Sequence, residues 1–141
     1  MTGLAKYFEP KILGYPHYIL FRIAALRGNV AAGRELVAIG GFNINQPVSD
    51  QYNQTAFISA CQNGRVDFVE FLLSLPGIDV NAVMQNGESG LWMARQSGHE
   101  GVVEVLLTDP RLNADLARAD GMSPCYIAAQ NGYQAILRLL L

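Results

Sequence analysis

Apolar residues recur along this chain in short helical runs broken by glycine. From Asn53 to Ala82 the order is a brief apolar run, a glycine, a second apolar run and an Asp-Val-Asn turn. Phe57, Ala60 and Cys61 make the first face, and Gly64 closes it. Phe68, Val69, Leu72 and Leu73 then fall at i, i+1, i+4 and i+5, the spacing of one helical face. Pro76-Gly77 stops that helix, and Ile78-Asp79-Val80-Asn81 turns the chain.

The plan repeats on both sides. From Ser89, Leu91, Trp92 and Ala94 answer Phe57, Ile58 and Ala60, and Gly98 answers Gly64. Val102, Val103, Leu106 and Leu107 answer the second face, before Pro110 and the turn Asn113-Ala114-Asp115. Upstream, from about Ile19, Phe21, Ala24 and Ala25 precede Gly28. Leu36, Val37 and Ile39 precede Gly40-Gly41 and Phe42-Asn43-Ile44-Asn45. Downstream, from Ser123, the residues Cys125, Tyr126, Ala128 and Gly132 hold the register, and Ile136, Leu137, Leu140 and Leu141 begin another face. Glycines 28, 64, 98 and 132 are spaced by 36, 34 and 34 residues, as are alanines 24, 60, 94 and 128. Landmarks shared in one register mark an internal repeat.

Each helix pair carries an apolar face that it cannot cover alone, so the units must stack. The expected fold is therefore all-α: an α-solenoid of stacked helix-turn-helix units joined by turns. The expected units are 19–54, 55–88, 89–122 and an incomplete 123–141. Residues 1–18 fit the period poorly. Leu4, Tyr7 and Phe8 suit one face of a short helix stopped by Pro10, and Gly14 and Pro16 mark a turn. This segment is expected to cap the stack. Gly33, inside a second helix, costs about 0.5–1 kcal/mol relative to alanine, so the first unit is expected to be the looser one.

Half of the 141 residues are apolar, enough for one domain with a buried core. The net charge is −2, and the 10 Lys and Arg residues are scattered, which argues against nucleic acid as a partner. No run of about 18 apolar residues is present, so no membrane span is expected. The first residues lack the long apolar core of a secretory signal. Cys61 and Cys125 lie two units apart, roughly 20 Å at the usual spacing of packed helices, beyond the ~7 Å reach of a disulfide. Both are expected as reduced thiols in an intracellular, cytoplasmic protein.

The pattern resembles the ankyrin repeat, over about Ile19 to Leu141. The family's Thr-Pro-Leu-His stands here as Thr55-Ala56-Phe57-Ile58, Ser89-Gly90-Leu91-Trp92 and Ser123-Pro124-Cys125-Tyr126. The Ser or Thr persists, as an N-cap would. The histidine does not persist, and the proline survives only at Pro124. Asn63-Gly64, Gly98-His99 and Asn131-Gly132 match the turn between helices, and Asp79-Val80-Asn81-Ala82 matches the hairpin stem.

The resemblance implies that the turns joining the units are β-hairpin-like loops. It also implies a protein-binding scaffold rather than an enzyme. Partners of the family are usually held on the concave side, by hairpin tips and the exposed ends of first helices. Carried over by position, that surface is Gln51, Tyr52, Gln54, Gln62 and Asn63, then Gln85, Asn86, Glu88, Gln96 and Ser97, then Ala119, Asp120, Met122, Gln130 and Asn131. Its amides predict weak salt dependence, and Tyr52 is the leading single anchor. Asn81, eight residues after Leu73, also resembles the position modified by an asparaginyl hydroxylase on some ankyrin repeats. The plainer reading is a turn asparagine bonding its own hairpin backbone.

No chemistry-bearing set emerges. His17 is placed in the cap and His99 in a turn, and with the dispersed cysteines they form no metal-ligand spacing. Neither a nucleophile with its base nor a phosphate loop is present, and no cofactor is expected. Asp67, Glu70, Glu100 and Glu104 read as a solvated outer face. Trp92 and Tyr126, at matching positions, read as core packing. A competing function is structural: Leu137, Leu139, Leu140 and Leu141 form an apolar end suited to self-association or to further repeats of a longer chain.

Overall fold

The computed structural model describes residues 3–48 and 53–114. Among them, two short 3-10 helices, Gly3–Lys6 and Pro10–Ile12, lead into six α-helices. These are α1 (His17–Arg27), α2 (Val30–Ile39), α3 (Ala56–Gln62), α4 (Val66–Leu73), α5 (Gly90–Gln96) and α6 (Glu100–Leu107). They form antiparallel pairs in two layers. The first helices α1, α3 and α5 stack on one another, and α2, α4 and α6 stack behind them.

Local chemistry sets the starts of the helices. The Thr55 hydroxyl accepts from the Ile58 N–H at 3.2 Å, and the Ser89 hydroxyl from the Trp92 N–H at 3.1 Å. Each satisfies an N–H that the first helical turn leaves open. Asn29 does the same for α2, accepting from the Ala32 N–H at 3.1 Å. Helix α1 starts directly after Pro16, at His17, two residues before the sequence pattern becomes legible.

The bends between paired helices are equivalent. Gly28, Gly64 and Gly98 have φ of 70°, 67° and 74°, the left-handed region that only glycine enters freely. The next N–H reaches back to the landmark alanine each time: Asn29 to Ala24, Arg65 to Ala60 and His99 to Ala94, at 2.9, 3.0 and 2.9 Å. This is a helix-ending bond pattern that satisfies otherwise open carbonyls. Gly132 lies outside the described residues.

The core runs between the two layers. Ala24, Ala60 and Ala94 are fully buried, as are Leu36, Leu72 and Leu106. The aromatic rings of Phe42, Phe21, Phe68 and Phe71 follow one another with centroids 5.2, 5.8 and 5.5 Å apart. Gly33 is buried against the next unit. A Cβ there would lie 2.8 Å from Phe68 Cε2 and 3.0 Å from Phe71 Cε2. The missing side chain makes room for two rings of the next unit, a packing role that helix propensity does not register.

The N-terminal segment buries Leu4, Phe8 and Ile12 in the same core, and its first 3-10 helix lies against α2. Pro10, expected to stop a helix, instead opens the second 3-10 helix, where its fixed φ and missing N–H cost nothing. His17 belongs to α1 and meets the Phe42 ring edge-on at 6.4 Å.

Side chains bonded to backbone hold neighbouring units in register. Asn45 donates to the Gly77 carbonyl and accepts from the Asp79 N–H, both at 2.8 Å. Asn81 repeats this with Arg111 and Asn113, again at 2.8 Å. At the other edge, Arg65 Nε donates to the Leu26 carbonyl at 2.8 Å and His99 Nε2 to the Gln62 carbonyl at 2.9 Å. The loops are hairpin-like. Met84 N–H bonds the Glu88 carbonyl at 2.8 Å beside a single bridge, Val83 to Ser89, and Val48 N–H bonds the Gln54 carbonyl at 3.0 Å.

Candidate functional site

Helix α3 has α1 and α5 on its flanks and α4 behind it, so its residues 56–61 are all buried and only Gln62, at its end, is half-buried. Thr55, Ser59 and Gln62 fall on a common face at i, i+4 and i+7. Arg22 reaches across from α1. Its Nε donates to Ser59 Oγ at 3.2 Å and its Nη2 to Gln54 Oε1 at 2.5 Å. Gln54 Nε2 in turn donates to Gln62 Oε1 at 2.6 Å. The bonds run in one direction, Arg22 to Gln54 to Gln62, and this direction orients both amides. Ser59 is fully buried beneath the network although it carries a hydroxyl.

Around this network the structure places the expected contact residues unevenly. Gln96 and Ser97 are exposed at the end of α5, and Gln85 and Asn86 are exposed at a hairpin tip. Asn63 is exposed after α3, with its amide nitrogen donating to the Ser59 carbonyl at 2.7 Å. Gln62 is half-buried. Glu88 is half-buried too, and its Oε1 is enclosed without a hydrogen-bond partner. Gln54 departs from the expectation of an open amide. It is 6% exposed and bonded at both ends, so it builds the wall rather than presenting itself to a partner. Gln51, Tyr52, Ala119, Asp120, Met122, Gln130 and Asn131 lie outside the described residues, as do Cys125, Tyr126 and the C-terminal leucines.

Asn81 is likewise not a simple hairpin residue. Its backbone N–H bonds the Asp79 carboxylate at 3.0 Å, but its side chain is spent on the next unit. The position in sequence showed a turn, and only stacking revealed what lies across from it.

Arg22 was missed in the sequence reading. The signal was there: counting from the alanines, it shares a column with Ile58 and Trp92, and it alone of these three is charged. Arg95, fully buried in α5, was missed as well, in the column of Ala25 and Cys61. Burial pushes the Cys61 thiol up, far from a reactive thiolate.

The outer layer presents Asp67, Glu70, Glu100 and Glu104 to solvent, as expected. Between α2 and α4 an open depression of ≈ 420 Å³ is lined by Val30, Arg34, Asp67, Glu70, Phe71 and Ser74. Arg34 lies over the Phe71 ring, 5.9 Å from its centroid. Among the described residues, no group of three or more His, Cys, Asp or Glu side chains is arranged to hold a metal ion. None of their helices is long and apolar enough to cross a membrane.

Paired helices, left-handed glycine bends and side-chain bonds from unit to unit define a helical repeat protein whose first helices are exposed at their ends. A family model described as ankyrin repeats, three copies, matches residues 13–84 and 75–141. The chain belongs to the ankyrin-repeat family. Ankyrin repeats are generally modules for protein–protein interaction, and the family is generally non-enzymatic. No curated protein matches the chain.

Proposed function

We propose that the first-helix wall holds a segment of a partner protein, gripped between the hairpin tips and the ends of α3 and α5. One observation carries this reading. Asn63, Gln96 and Ser97 stand exposed at matching ends of successive first helices, with Gln85 and Asn86 exposed at the hairpin tip. Such groups offer directional hydrogen bonds at little desolvation cost, which suits recognition of a polypeptide backbone. The outer layer, carrying Glu70 and Glu104, is the control surface.

The test is capture of partners from source cells with three forms of the chain. Gln85→Ala with Gln96→Ala is expected to lose the partners. Glu70→Ala with Glu104→Ala is expected to keep them. The reverse result places binding on the outer layer and overturns the proposal.

A further inference from the structure

We propose that Arg22 anchors a carboxylate of the partner, an Asp or Glu side chain on an extended segment lying along the wall. This rests on the wall being the binding face.

The Arg22 guanidinium is held by neutral acceptors, Ser59 Oγ and Gln54 Oε1. Among the described residues no carboxylate is paired with it: the ion pairs are Arg27 with Glu9 and Arg111 with Asp109. Guanidinium carries five N–H donors, and among the described residues the two bonds to Ser59 and Gln54 leave the Nη1 edge uncommitted. Gln62 shows the same polarity: its oxygen is taken by Gln54, which leaves its amide hydrogens as donors. The wall thus offers donors, and it seeks oxygen acceptors. The rotamers of Arg22 and Gln54 are already fixed, so a ligand does not bear the cost of ordering them.

A single carboxylate fits better than a polyanion. Glu88 occupies the column of Gln54 one unit along, about 10 Å away at the usual spacing of packed helices. A second negative charge of the ligand at that column would lie against the Glu88 carboxylate, inside the screening length of about 8 Å at physiological salt, and is repelled. The chain as a whole carries −2, which further disfavours nucleic acid or polyphosphate.

The full chain is used to select a display library of short random peptides, and the enriched sequences are synthesised. Enriched peptides are expected to share an Asp or Glu at one position. Replacing that acid by its amide is expected to weaken binding about tenfold or more, as for hydrogen bonds to charged groups. Arg22→Gln is expected to weaken the parent peptide equally and to abolish its preference for the acid, the signature of direct coupling. The peptide substitution leaves the protein untouched, so a fold-damaged Arg22→Gln does not hide the answer. Peptides that lose binding in Gln96→Arg but share no acid, or that ignore Arg22→Gln, overturn the anchor and leave the wall standing. Tighter binding of a phosphorylated peptide than of its carboxylate counterpart overturns it as well. Failure to enrich any peptide sensitive to Gln96→Arg overturns both readings.

Discussion

Asn81 and Asn113 are joined across a repeat boundary: the Asn81 amide oxygen accepts from the Asn113 N–H at 2.8 Å. The Asn81 nitrogen donates to the Arg111 carbonyl at the same distance. One side chain thereby satisfies a donor and an acceptor of the next unit's turn. Asn81→Ala is expected to cost about 1–2 kcal/mol, the net worth of two hydrogen bonds, and Asn45→Ala a similar amount. Urea denaturation measures both, and an unchanged midpoint in either contradicts the assignment. Hydroxylation of Asn81 would require the turn to open first, because both ends of the amide are engaged. Mass spectrometry of native protein with no added oxygen on Asn81 removes that candidate modification.

Gly33 tests whether packing outweighs propensity. Alanine there favours the helix by about 0.5–1 kcal/mol, but its Cβ would crowd Phe68 and Phe71 at 2.8 to 3.0 Å. Overpacking of this kind costs about 1–3 kcal/mol. Gly33→Ala is expected to destabilise the chain, and Phe68→Leu in the same chain is expected to recover part of the loss. A stabilised Gly33→Ala would show that the two rings yield freely.

Two left-handed glycines separate backbone strain from collision. Gly64 has φ of 67°, and a Cβ there would lie 2.6 Å from the His99 ring. Gly41 has φ of 80° with nothing within 4 Å. Gly41→Ala is expected to cost only the left-handed penalty, about 1–2 kcal/mol. Gly64→Ala is expected to cost more, because it also displaces His99 from the Gln62 carbonyl. Equal losses in thermal or urea unfolding would mean that His99 moves aside without penalty.

Acid weakens the edge of the third unit. Arg111 clamps Asp109 with Nε to Oδ1 at 3.0 Å and Nη2 to Oδ2 at 2.7 Å, and also donates to the Leu73 carbonyl. Those side-chain bonds hold the Asp109 carboxyl below its ordinary value of 3.8. Its contribution is complete above that value and fades as pH falls through the lower folded value. Asp109→Asn is expected to lower stability near neutrality and to flatten the decline on the acid side. The effect is small because the guanidinium is solvent-accessible. A variant and parent with identical profiles from neutral to acid pH would contradict it.

Much of the fold was legible because it follows from spacing alone. Gly28, Gly64 and Gly98 bend alike, and Thr55 and Ser89 cap their helices, because these roles depend on a residue and its close neighbours in the chain. The wall was legible only in part. Gln96, Ser97, Gln85 and Asn86 emerged exposed, as register predicts. Gln54, in the same register, is buried and bonded to Arg22, 32 residues before it in the chain.

The sequence by itself determined the period, the pairing of helices, the positions of the bends and the family, since each is a short-range consequence of apolar spacing, glycine and capping hydroxyls. Only the tertiary structure decided which polar groups remain free. Arg22, Asn81 and Gly33 all act on a neighbouring unit 30 or more residues away, and Gln54 is bonded to Arg22 32 residues before it. Their roles depend on distances between stacked helices, and those distances are set by packing of the whole core.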